Sequence, residues 1–71
     1  MDAFSSFINS YMKTMNVYLN KGTSRKELEN MNENIYLMGK FVLGIQQNNY
    51  ENKRILDRVH DDYKVLIGLY K

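Results

Sequence analysis

Asp57, His60 and Asp61 stand at i, i+3 and i+4, a spacing that puts three side chains on one face of a helix. An imidazole between two carboxylates is a ligand set for a divalent cation. The same groups could pass a proton as general acid and base. Arg54, Arg58 and Lys64 crowd the same segment and oppose a cation, and no nucleophile can be named beside the trio. The expectation is therefore a solvated charged face, with no catalytic residue, no metal and no cofactor. Lys53, Arg54 and Arg58 lie within about two helical turns of one another and could touch phosphate. Lys53 and Asp57, like Arg58 and Asp62, are four apart, so pairing within the face competes with that role.

Ser24-Arg25-Lys26-Glu27 has the spacing of a capping box, a serine whose hydroxyl takes the backbone N–H three residues on while the glutamate reaches back. Residues 23–28 also look like the opening of a helix-turn-helix. The helix they start, however, runs without a turn into Ile35-Tyr-Leu-Met-Gly-Lys-Phe-Val-Leu-Gly-Ile45, which is too apolar to lie in a nucleic-acid groove.

The elements that carry these residues read as all-α. Phe4, Ile8, Tyr11, Met15 and Tyr18 are spaced 4, 3, 4, 3 and form the stripe of a first helix over 2–19, widened by Phe7, Met12 and Leu19. Gly22 suits the left-handed residue that ends a helix. A second helix, over 25–47, carries Leu28, Met31, Ile35, Met38, Val42 and Ile45 at strict heptad spacing. Residues 35–45 hold a single charge, Lys40, and are apolar on every side, which predicts burial on all sides. Gly39 and Gly44 inside this helix predict close approach of another backbone. A third helix over 50–69 has Leu56, Val59, Tyr63, Leu66 and Tyr70 as its seam, with Ile55, Ile67 and Leu69 beside it.

Between the last two helices the heptad register does not break. One helix from 25 to 70 would be about 69 Å long at 1.5 Å per residue. It would place Asn49 and Asn52 on consecutive seam positions, forgoing a turn of burial, so a turn over 48–52 is preferred. The expected architecture is a small bundle of about three helices, with coiled-coil-like packing and more than one chain.

The chain has 71 residues, no cysteine, one histidine and a formal net charge of +2. One domain is the most this length supports. Only about 60% of the unfolded surface is buried at such a size, and disulfide or metal staples are not provided for. Self-association or a partner is the remaining support. The N-terminus lacks the basic region and apolar run of a signal peptide. The longest apolar run falls short of a membrane span, which needs about 20 residues, and an intracellular, cytoplasmic location is expected. Abundant asparagine, lysine and tyrosine without proline would suit an AT-rich genome such as a phage or mobile element.

Six tyrosines and three phenylalanines divide between core and surface. Phe4, Tyr11, Tyr18 and Tyr63 sit on seams and read as core. Tyr36, Leu37, Phe41, Leu43 and Tyr50 fall off the main seam and read as an oligomer or partner interface, because aromatic residues are enriched at interface centres. The function expected is a small non-enzymatic interaction module that binds itself and a larger protein, as regulator, inhibitor or assembly factor. A nucleic-acid-binding helical dimer using Lys53, Arg54 and Arg58 is the alternative.

Overall fold

The side chains that leave water are Phe4, Ile8, Tyr11 and Met15 of the first helix, Leu28 of the second, and Leu56, Tyr63 and Ile67 of the third. In the computed structural model, which describes residues 3–46 and 50–69 (without the side chains of Ile45 and Gln46), these three helices share one core. They are α1 (Ala3–Asn20), α2 (Arg25–Gln46) and α3 (Tyr50–Leu69). The longest dimension is 38 Å, which leaves no room for one straight rod from 25 to 70. α3 folds back along α2: Asn32 of α2 reaches the backbone of His60, and Tyr36 reaches Asp57. The turn expected over 48–52 falls partly outside the described residues, as do Asp2, residue 47 and Tyr70; Tyr50 and Asn52 are already helical.

Local signals at the first break act as expected. Gly22 has φ 75°, in the left-handed region that costs a glycine nothing. The amide of Thr23 donates to the carbonyl of Tyr18 and that of Gly22 to Leu19, the two bonds of a Schellman motif closing α1. Ser24 Oγ then accepts the amide of Glu27 at 3.3 Å, opening α2. The reciprocal bond from the Glu27 carboxylate is absent among the described residues, so Ser24 acts as a simple N-cap.

The heptad reading fails in a graded way. The buried sets are 4, 8, 11, 15 in α1 and 56, 60, 63, 67 in α3. In α2 they are Leu28, Asn32 and Gly39, with Ile35, Tyr36 and Leu43 half-buried against the core. Each set spans 11-residue steps, close to three turns of a straight helix. A seven-residue repeat instead drifts by about 20° per heptad unless the helices supercoil. The drift carries Tyr18, two heptads beyond Phe4, out to 38% exposure, and Leu66, one beyond Val59, to 49%. Met38, one heptad beyond half-buried Met31, is 60% exposed. Residues 35–45 are therefore not buried all round. α2 turns Leu37, Met38 and Phe41 outward while Gly39 faces in.

At Gly39 the close approach is made by side chains of the other two helices, not by another backbone as expected. A Cβ placed there would sit 2.6 Å from Leu56 Cδ1 and 2.9 Å from Phe7 Cε1, so any larger residue requires Leu56 or Phe7 to shift. Gly44 departs from the expectation: among the described residues no atom lies within 4 Å of such a Cβ.

Candidate functional site

The trio that opened the sequence reading does not converge. His60 is 9% exposed, a core residue rather than part of a solvated face. Its ring stacks on Tyr36 with centroids 4.2 Å apart. Its Nε2 donates to Glu33 Oε1 of α2 at 2.7 Å, and Asp61 Oδ1 lies 3.4 Å from Nδ1. Asp57 turns away to accept the hydroxyl of Tyr36 at 2.6 Å. Among the described residues no three His, Cys, Asp or Glu side chains are arranged to hold a metal ion. Glu33 is not legible as the partner of His60 in the sequence, because the pair is 27 residues apart and forms only when α3 lies against α2.

Behind this clasp lies a satisfied polar layer. Asn32, 1% exposed, accepts the Tyr11 hydroxyl on its side-chain oxygen and donates Nδ2–H to the His60 carbonyl at 3.1 Å. Tyr63 donates to Asn16 Oδ1 at 2.8 Å and stacks on Tyr11 at 6.0 Å. Among the described residues no buried side-chain nitrogen or oxygen lacks a partner. The hydroxyls keep their protons. The Tyr36 pKa is pushed up to about 12, first by its hydrogen bond to Asp57 and then by burial. Burial raises Tyr11 and Tyr63, with Glu33 adding to Tyr11 and the Asn16 bond opposing the rise at Tyr63. The layer joins three helices, and its Asn32, with Glu33, also borders a surface depression lined by Arg25, Glu29 and Lys64.

The basic residues Lys53, Arg54 and Arg58 are exposed. Among the described residues neither Lys53–Asp57 nor Arg58–Asp62 closes as an ion pair. The ion pair that forms among them is Arg25–Glu29. Arg54 and Arg58 border a shallow surface depression with Glu51 and Ile55.

The apolar residues expected at an interface separate into two groups. Tyr36 and Leu43 are half-buried and pack on the core. Leu37 and Phe41 stand 58% and 71% exposed, and with Met38, Val42 and Phe7 they line a shallow, almost wholly apolar groove between α1 and α2. Tyr50, 80% exposed, stands apart from that groove at the start of α3. Met38 and Val42 were missed because the heptad reading assigned them to the core, while Phe7, read as widening the α1 stripe, both packs on the core and lines the groove. Lys40 does not interrupt the groove, since its ammonium lies over the Tyr36 ring, 5.1 Å from the centroid. α3 carries further exposed apolar side chains, Ile55, Leu66 and Leu69, on a stripe that Asp62 interrupts. Among the described residues no helix is long and apolar enough to cross a membrane. No family model, curated protein or solved structure matches the chain.

Proposed function

We propose that this chain is a non-enzymatic interaction module. It acts by laying the outer face of α2 against another protein, as regulator, inhibitor or assembly factor. The observation that carries this reading is the exposure of Leu37, Met38 and Phe41, at 58%, 60% and 71%, within little more than one turn. Each large apolar side chain kept in water forgoes roughly 1.5–3 kcal/mol. Small domains have net stabilities of only about 5 kcal/mol. A partner that covers the face recovers what the fold leaves unused, and contiguous apolar patches on small proteins often mark such contacts.

A nucleic-acid role for Lys53, Arg54 and Arg58 keeps one supporting observation, the exposure of all three without the intrahelical pairs that would neutralise them. The two readings part on salt and on charge. The chain, immobilised and exposed to extract of its source cells, should retain a protein that stays bound at high salt. That protein should be lost on Phe41→Glu and kept on Arg54→Glu/Arg58→Glu. Binding lost steeply with salt and abolished by the arginine variant would overturn the protein-docking reading in favour of nucleic acid.

A further inference from the structure

We infer that the outer face of α2 is covered, in the isolated protein, by the same face of a second copy, the two α2 helices crossing antiparallel with each Phe41 ring over the partner copy's Gly44. This rests on the interaction reading above and names its first occupant. A two-fold contact needs a surface that is complementary to itself. Phe41 and Gly44 supply that one turn apart on the same stripe. Phe41 is a projecting ring, 71% exposed. Gly44 is bare backbone with no described atom within 4 Å of where a Cβ would stand. Among the described residues nothing uses that space, although glycine in a helix interior is disfavoured by about 1 kcal/mol relative to alanine. Gly39, by contrast, is filled by Leu56 and Phe7.

Charge and size agree with a copy as occupant. A self-contact sets like charges against like, and residues 37, 38, 41, 42 and 44 carry none, while Lys40 is held over Tyr36. With roughly 150–200 Å² for each large apolar side chain, the exposed parts of Leu37, Met38 and Phe41 offer about 300–400 Å² of apolar surface. Interfaces are a little over half apolar, so two such faces would bury about 1,200 Å² in all, the lower bound for a specific contact. The product is a small, reversible dimer, and a larger partner must displace the second copy.

Sedimentation equilibrium of the full chain, from low micromolar to about 1 mM, tests this. The parent should approach twice its 8.5 kDa mass. Phe41→Glu and Gly44→Leu, both on open surface, should stay helical by circular dichroism and weaken association at least about tenfold. Leu66→Glu, on the exposed side of α3, should leave it unchanged. A parent that stays monomeric throughout overturns the second copy as occupant. The docking reading then still stands if a larger protein is captured in a Phe41-dependent way. Association that ignores Phe41→Glu and Gly44→Leu, or that Leu66→Glu abolishes, overturns this geometry and removes the support for the face itself.

Discussion

Gly39→Ala and Gly44→Ala are the same substitution, five residues apart in one helix, and only the second should stabilise the protein. Alanine in place of glycine gains about 1 kcal/mol at either position, because the unfolded chain loses freedom and the helix gains propensity. At Gly44 nothing opposes the gain, since the new methyl meets no described atom within 4 Å. At Gly39 the methyl would lie 2.6 and 2.9 Å from the two terminal carbons of Leu56 and 2.9 Å from the Phe7 ring. Leu56 is fully buried, so its side chain can move only by displacing the core around it. Overpacking of this kind costs about 1–3 kcal/mol, enough to offset the propensity gain and leave a net loss of up to about 2 kcal/mol. The variants should then differ by about 1–3 kcal/mol, Gly44→Ala above the parent and Gly39→Ala level with it or below. Urea midpoints with a shared slope, taken at concentrations low enough for the chain to be monomeric, measure this. Equal stabilisation by both would mean that α1 and α3 do not press on α2 at Gly39, and the core geometry argued above would fail with it.

Removing the cap with Ser24→Ala should destabilise by about 1 kcal/mol, read from the same urea midpoints; no change would place the start of α2 elsewhere. Asn32→Leu leaves the Tyr11 hydroxyl without its side-chain acceptor and takes away the second donor to the His60 carbonyl, which keeps its helical N–H, at a cost of about 1–3 kcal/mol. Combined with Tyr11→Phe, the loss should be smaller than the sum of the single losses, because the two side chains share one bond. Tyr36 holds its proton to about pH 12 when folded, against 10.0 for an ordinary tyrosine. Its contribution is complete below pH 10.0 and is lost as pH rises from there towards about 12, so alkaline solutions should destabilise the fold. Tyr36→Phe should flatten that decline, followed by denaturant midpoints and tyrosinate absorbance.

Helix existence was legible because it depends on local chemistry. Gly22 and Ser24 mark the break with their own backbone and hydroxyl. The apolar rows at spacings of three and four make each helix amphipathic wherever it packs. The sequence by itself determined the break at Gly22, the cap at Ser24, and Phe4, Tyr11, Leu28, Leu56 and Tyr63 as core, and it preferred a turn over 48–52 to one helix from 25 to 70.

The tertiary structure decided which face of α2 points inward, and that choice separates interior from docking surface. Residues 35–45 are apolar on nearly all sides, so their pattern cannot select a face. The selection comes from positions that hydropathy ranks low. Asn32 is taken inside because Tyr11 and the His60 carbonyl meet its amide. His60 is taken inside because Glu33 and Tyr36 receive its ring. Gly39 is taken inside because it leaves space for Leu56 and Phe7. Those partners are 21 to 28 residues away for Asn32 and 27 for His60–Glu33, so their complementarity exists only after the helices have met. Once Asn32 and Gly39 face the core, the 3.6-residue turn leaves Leu37, Met38 and Phe41 in water.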